Sequence, residues 1–424
     1  MEDCTEYDMK CIELKFGKGT VSFTLPERNY LGSILPNETT HGLTGEAEVI
    51  RALENPIGTG RLSAIVRPGD RVIIVTSDIT RPVPSYKILP AVVRELEKGG
   101  VKKSQITVVF ALGSHRPHTE EEKRALVGDT IYDSEITLMD SDPEKCAELG
   151  VCRHGTPVDI FAPVLKANRR ICIGNVEFHY FAGYSGGAKA LMPGVSSRRA
   201  IQANHSKMIK PGAQAGKLAG NPVREDIDQI TEFIGIDFIV NVVVDKNKEI
   251  VKAFAGHHTL AHREGCRAID EMYKIRIDRQ ADIVVLSPGG FPKDINLYQA
   301  QKGLDNAQHA VRPGGIIIWC ASAKEGFGEA HFEEWMLNKE PAEMIEEIRK
   351  NFILGAHKAA AIAMVMQKAE IYMVSDLEDE LVRKINFTPF PTVQEALDAA
   401  FAKLGSNAGV LVMPQAGSTL PYLE

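Results

Sequence analysis

Three histidines, one lysine and one arginine stand in company that could do chemistry. His115 lies in Gly113-Ser114-His115-Arg116-Pro117-His118, and His179 opens a run that reaches Gly183-Tyr184-Ser185-Gly186-Gly187-Ala188-Lys189. His205 follows that run, and Arg81 sits in Asp78-Ile79-Thr80-Arg81-Pro82-Val83-Pro84. A neutral imidazole is a ligand for borderline transition metals and a general acid or base near neutral pH. The planar fork of Arg81 suits a carboxylate or a phosphate. Gly183, Gly186 and Gly187 would let the backbone pass close to a bulky ligand, with Lys189 pointed towards it.

Each feature also has a plainer meaning. The Asp78–Pro84 segment is what a proline-stiffened turn with a solvated Asp–Arg pair looks like. A single histidine is usually structural or superficial, and His118, His154, His257, His258 and His309 keep that reading. The glycine–lysine run is not a phosphate-binding loop of the GxxxxGK[ST] type, because Ala188 separates Gly187 from Lys189. No GxGxxG follows a strand, and there is neither HExxH nor a Cys/His quartet with zinc spacing. The weight rests on the combination.

The combination depends on the elements beneath it. Arg71–Thr76 is a continuous apolar strand pattern that runs into the Asp78 loop, and Ile106–Leu112 runs into the His115 loop. Arg170–Gly174 runs into Asn175-Val176-Glu177-Phe178-His179, and Ile283–Ser287 into Pro288-Gly289-Gly290-Phe291-Pro292. Ligands of open parallel sheets bind just beyond the carboxyl ends of the strands, so four such loops predict one shared cleft. Between the strands, Tyr86–Lys98 is helix-periodic and stops at Gly99-Gly100, and Thr119–Val127 opens with Thr119 and Glu122 in a capping box. A second set follows, with helices over Asn296–Ala310 and Glu340–Asn351 and strands over Gly315–Cys320, Glu370–Ser375 and Gly409–Met413. Cys11–Leu25 alternates polar and apolar residues before Pro26, which predicts a strand or hairpin. His257–Tyr273 predicts a connecting helix, and the charged Lys274–Gln280 behind it marks a boundary. The expected fold is therefore α/β with two domains, each built around a largely parallel sheet flanked by helices, and an active-site cleft between them. Residues 1–272 would form the catalytic and cofactor-binding domain, and 273–424 an α/β domain closing over the cleft.

Composition sets the class. A chain of 424 residues with 44% hydrophobic and 25% charged residues excludes disorder, coiled coil and collagen-like fibre. A net charge of -7 gives no bulk attraction for nucleic acid or anionic lipid. No window approaches the roughly 18 apolar residues that span a bilayer, and residues 1–20 hold no secretory h-region. The seven cysteines form no CxxC pair and are odd in number, against a disulfide framework. A reduced, cytoplasmic protein without nucleic-acid or membrane partner is expected.

Read together and in order, DITRPVP (Asp78–Pro84), GSHRPHT (Gly113–Thr119), HYFAGYSGGAKALMPG (His179–Gly194), the downstream His205 and GGFPKDINLYQAQK (Gly289–Lys302) resemble the nickel-pincer lactate racemase family. The resemblance implies a racemase or epimerase of 2-hydroxy acids. It implies that Lys189, in the loop of Gly186 and Gly187, covalently holds a pyridinium-3,5-bisthiocarboxylic acid mononucleotide, which binds nickel through two sulfurs and a ring carbon. His205 would complete the nickel coordination. His115 and His179 would exchange the substrate hydroxyl proton, Arg81, Gln299 and Lys302 would bind the substrate, and Asp78 would be a further substrate-side position. The implied partners are a small 2-hydroxy acid and the cofactor-maturation proteins of the cell; the sequence leaves homo-oligomerisation open.

Chemical logic agrees with these implied roles. Removing the α-hydrogen of a 2-hydroxy carboxylate as a proton would build a second negative charge beside the carboxylate. Moving it as hydride to an electrophilic pyridinium leaves a planar 2-keto acid that can be reduced on either face, while a histidine takes the hydroxyl proton. One departure concerns the substrate. Lactate-specific members carry a tryptophan near the substrate in the second domain, whereas this chain has Leu354-Gly355-Ala356-His357-Lys358-Ala359 there, and its tryptophans are Trp319 and Trp335. A larger or more polar 2-hydroxy acid is then admissible, with His357 either a substrate contact or a surface helix residue. Two other readings compete: a 2-hydroxy acid oxidoreductase using free nicotinamide nucleotide, which the missing GxGxxG disfavours, and a non-catalytic protein trapping a small anion.

Overall fold

Val72, Ile73, Ile74 and Val75 are all buried, as they can be only in a strand covered on both faces. In the computed structural model, which describes residues 8–39, 42–81, 83–245 and 247–423, this strand sits within a six-stranded sheet. Pro82, named above, and Cys4, one of the seven cysteines, lie outside the described residues. The sheet runs in the order Ile250–Gly256, Phe238–Val244, Arg169–Asn175, Val72–Ser77, Ile106–Ala111, Thr137–Asp140. All neighbours are parallel except the edge strand Ile250–Gly256, which is antiparallel to Phe238–Val244.

These strands belong to the larger of two units, Thr39–Asp270. Its core joins Ile74, Val108, Ile171 and Val240 of the sheet to the helix Ser85–Lys98. That helix buries Ile88, Leu89, Val92 and Leu96, the i, i+1, i+4, i+8 face of an amphipathic helix, each contributing about 1.5–3 kcal/mol. It stops where the chain passes its neighbour closely: a Cβ on Gly99 would lie 2.3 Å from Val66 Cγ2 and 2.8 Å from the Ser63 carbonyl. The expected capping box is present ahead of the helix Glu120–Val127, with Glu122 N–H donating to Thr119 Oγ1 at 3.2 Å and Thr119 N–H to Glu122 Oε2 at 2.9 Å.

The smaller unit holds a second six-stranded sheet, parallel throughout, in the order Thr388–Pro389, Ala369–Val374, Val311–Cys320, Ala281–Leu286, Val410–Met413, Tyr30–Ser33. The last strand corrects the expected boundary. The segment up to Glu38, placed in a 1–272 domain by its position in sequence, clusters instead with Glu271–Glu424. The reason is its apolar face. Met9–Phe16 and Gly19–Pro26 form the expected hairpin, and its alternation turns Ile12, Leu14, Phe23 and Leu25 into one core with Ile283, Val285, Ile316 and Ile318. The other junction, at 270/271, lies near the expected 272/273.

Candidate active site

Three adjacent central strands of the larger unit end in register. Ser77 pairs with Ala111 and Val75 with Cys172, so the loops that follow leave the sheet at one edge. Asp78, directly after its strand, is buried, and His115 Nδ1 lies 2.5 Å from its Oδ2. Thr80 Oγ1 donates to both oxygens of Asp78 at 3.0 Å. Burial pushes the Asp78 carboxyl up, but the hydrogen bond and charge of His115, followed by Arg81 and Thr80, hold it below the usual carboxylate range. An ionised carboxylate only accepts, so His115 carries its proton on Nδ1 and leaves Nε2 as the basic nitrogen. Arg81, after the same strand, is exposed.

His118 is the structural histidine of this corner. Its Nε2 accepts the Ile79 N–H at 3.1 Å, so its Nδ1 is the donor to Asp140 Oδ1 at 2.6 Å. With both nitrogens engaged and its ring edge-on to Phe110, it pins the Asp78 loop to the neighbouring strand. The Gly113 N–H donates to Gly194 O at 3.0 Å, and Gly194 N–H to Lys189 O at 3.3 Å, tying the His115 loop to the lysine segment.

That segment turns at Gly186 and Gly187, whose φ values are 79° and 61°. A Cβ on Gly186 would meet Asn241 Oδ1 at 2.7 Å, and one on Gly187 would meet His262 Cγ at 2.9 Å. Only glycine fits a positive φ at such close range. Lys189 follows in the short 3₁₀ turn Gly187–Ala190 and is half-buried. Burial, and then the charges of Arg81 and Arg224, lower its ammonium well below the ordinary lysine range, with Glu177 opposing. The free amine, the nucleophilic form, is thereby favoured.

His179 and His205 flank one ring. His179 is 4.5 Å from Phe181 and His205 is 5.0 Å from it, centroid to centroid and both edge-on. His179 Nδ1 accepts the Ala182 N–H at 3.2 Å, which places the proton of the neutral ring on Nε2, the opposite of His115. His205, buried at the end of the helix Arg198–His205, has Nδ1 3.1 Å from Asn204 Oδ1. With Nδ1 the donor to that carbonyl, the acceptor nitrogen is Nε2, the atom a metal would take.

The larger unit thus brings together Asp78, Arg81, His115, His179, Gly186, Gly187, Lys189 and His205 around neighbouring loops. Gln299, Lys302 and His357 belong to the smaller unit. Gln299 and Lys302 are exposed one turn apart on the helix Leu297–Ala307, while Ala300, Gln301, Leu304 and Asp305 face inward. His357 is buried at the start of the helix Ala356–Met366, its Nδ1 accepting the Gly355 N–H at 3.0 Å, which removes the reading as a surface residue.

Sequence reasoning missed the layer beneath the glycine loop, namely Arg224, Asp228, His262 and Arg263. Their only signal was a charged residue on the apolar stripe of an amphipathic helix, as Arg224 is between Val223 and Ile227. Among the described residues no group of three or more His, Cys, Asp or Glu is arranged to hold an ion. A single imidazole such as His205 suits a metal whose other donors arrive on an organic group, and the Gly186–Gly187 cradle with its reactive lysine suits anchoring such a group. The residues fit a lysine-tethered, metal-bearing cofactor.

Comparisons with known proteins identify the family. Residues 16–216 match the lactate racemase N-terminal domain family and residues 277–420 the lactate racemase C-terminal domain family. The chain is 34% identical to the lactate racemase of Thermoanaerobacterium thermosaccharolyticum over 424 residues, covering 97% of this chain and 99% of that one. It is 33% identical to the lactate racemase of Lactiplantibacillus plantarum over 419 residues, covering 96% and 98%. The structure of the lactate racemase apoprotein from T. thermosaccharolyticum superposes with a TM-score of 0.87 at 33% identity, over 97% of this chain and all of that one. A Thermotoga maritima protein at 18% identity and a TM-score of 0.64 shares the fold.

Proposed function

The chain belongs to the lactate racemase family and is an isomerase of the racemase class, and we propose that it inverts the α-carbon of lactate or a related 2-hydroxy acid through a 2-keto acid, with a nickel-pincer nucleotide tethered at Lys189. The observation that carries the reading is the opposite setting of the two histidines. His115 presents a basic Nε2 and His179 a protonated one. One ring is ready to accept the hydroxyl proton of one enantiomer and the other to return a proton, and inversion exchanges the two states.

When bound, the nucleotide would supply a hydride acceptor, held through Lys189 and through His205 on the metal. The protein does the rest. Asp78 stabilises His115 as it takes the proton, and Arg81 pairs with the substrate carboxylate. Gln299 and Lys302 are proposed as further carboxylate and hydroxyl contacts, and His357 as the residue that widens the substrate range beyond lactate. The proposed setting is the cytoplasm, where maturation proteins would build the cofactor; among the described residues no helix is long and apolar enough to cross a membrane.

Two measurements test this. Protein co-expressed with a cofactor-maturation pathway gains a covalent mass that Lys189→Ala loses; an unmodified chain that binds NAD tightly would instead favour an oxidoreductase. A chiral assay across a panel of 2-hydroxy acids then identifies the substrate. No turnover of any acid, with nickel and adduct both confirmed, would turn the reading towards a binding protein.

A further inference from the structure

Under the glycine loop lies a buried charge network that the proposed chemistry does not use. Arg224, on the helix Pro222–Phe233, is 1% exposed. Its Nη1 donates to the carbonyls of Tyr184 at 3.2 Å and Gly186 at 3.5 Å, and its Nη2 to Asp228 Oδ1 at 2.6 Å. The other oxygen of Asp228 takes Arg263 Nη2 at 2.5 Å. Arg263 Nη1 donates to His262 Nδ1 at 2.6 Å, and His262 Nε2 donates to Ser185 O at 2.8 Å. Three consecutive carbonyls of the loop, at positions 184, 185 and 186, are therefore each held by a side chain from below. The fit is tight, since a Cβ on Gly187 would stand 3.0 Å from Arg224 Nη2.

A buried guanidinium is costly to keep, and two carbonyls plus one carboxylate are more than packing demands. We propose that Arg224 is a positioning residue for Lys189: fixed by Asp228, it fastens the 184–187 backbone and sets a permanent positive charge beneath the turn that presents the lysine as a nucleophile. Asp228 and Arg263 keep the guanidinium in register, and His262, wedged between the Arg263 donor and the Ser185 carbonyl, stays neutral: burial, then the charges of Arg224 and Arg263, lower its pKa well below the ordinary histidine range. The charges that act on Lys189 come from three elements, Arg81 in the loop after Val72–Ser77, Arg224 from the helix below, and Glu177 from the loop after Arg169–Asn175, which acts in the opposite sense. The proposal rests on Lys189 as the cofactor anchor, but its test needs no cofactor.

The test is the pH profile of Lys189 acetylation in the apo chain. Trace isotopic acetic anhydride is used with free phenylalanine as internal standard and read by peptide mass spectrometry. The neutral Nζ attacks the acyl carbon, acetate leaves and the amine proton goes to solvent, so the rate follows the free-amine fraction. Arg224→Gln is expected to move the Lys189 midpoint to higher pH, with a severalfold loss of acetylation at pH 7. Arg224→Lys, which keeps the charge without the fork, stays nearer the parent. Glu177→Gln moves the midpoint the other way. A loss of folding would not reverse sign between variants, so if Arg224→Gln melts early, Glu177→Gln decides. An unchanged midpoint in folded Arg224→Gln, or a Glu177→Gln midpoint that stays put or rises, overturns the proposal. If the midpoints move as expected while co-expressed protein never gains mass at Lys189, the cofactor reading fails and the role of Arg224 stands.

Discussion

A histidine becomes a directional base only when something decides which nitrogen holds the proton. Here Asp78 decides it for His115, and Asp78→Asn isolates that function because the amide nearly matches the carboxylate in shape. The amide's NH₂ would donate to Nδ1 and force the proton to Nε2, the wrong tautomer for a base. We expect a loss of turnover on the order of 10³–10⁴-fold, measured by the chiral assay on cofactor-loaded protein. The same carboxylate carries a stability signature. Its folded pKa lies below the unfolded value of about 3.9. Its contribution is therefore present above that value and lost as pH falls through the folded one. Melting curves of parent and Asp78→Asn should differ most near neutrality and converge in acid; a gap that persists to pH 2 would show that shape, not charge, was lost. At this scale the sequence was informative for exposed or loop-borne residues, since Arg81, His115, His179 and Lys189 announce themselves beside glycine and proline. It gave His118 only the general reading of a structural or surface histidine, without its partners, and was silent on Arg224. A histidine locked between Ile79 and Asp140, and an arginine buried under a loop, take their meaning from partners distant in sequence.

Elements place those residues, and two of them can be tested where they bear on the site. Gly187→Ala puts a methyl 2.9 Å from His262 Cγ on a backbone with φ of 61°. The conformational cost alone is about 1–2 kcal/mol. We expect covalent loading at Lys189 to fall by at least about tenfold while the melting temperature drops only a few degrees. Equal losses of loading and of global fold would mean the loop is not an independent cradle. The helix Ser85–Lys98 is tied down by Glu95, which accepts from Arg61 at 2.7 Å and Lys98 at 2.9 Å. Burial pushes this carboxyl up, but those two cations outweigh it and bring its pKa down to about 2. Its stabilisation is thus complete above about pH 4.5 and fades as pH approaches 2, an acid limb in thermal denaturation that Glu95→Gln should lack. Most such elements were legible because their signals are local: continuous apolar strands, the 119–122 capping box and the helix stop at Gly99. The strands Phe238–Val244 and Ile250–Gly256 were not. An apolar run and a mixed run, joined by a turn, gain strand character from pairing with each other and with Arg169–Asn175.

For the whole molecule, the feature least visible in sequence order is that the smaller unit is built from both ends of the described chain. Tyr30–Ser33 completes its sheet beside Val410–Met413, and the hairpin before it covers Ile283 and Ile316. Nothing local marks this, because the hairpin's apolar face would fit any core. Its energetic weight can be gauged. Ile12, Leu14, Phe23 and Leu25 together bury enough apolar surface to contribute about 6–12 kcal/mol. That is comparable to the entire stability of a domain, about 5–15 kcal/mol. A chain lacking residues 1–38 should therefore lose the smaller unit cooperatively. Amides of Ala281–Leu286 and Val410–Met413 would exchange as in an open state, while those of Val72–Ser77 and Ile106–Ala111, in the core of the larger unit, keep their protection. Adding the 8–38 peptide in trans should restore the first set. Hydrogen exchange that left the Ala281–Leu286 amides protected in the truncated chain would show that the hairpin only decorates a core able to stand without it.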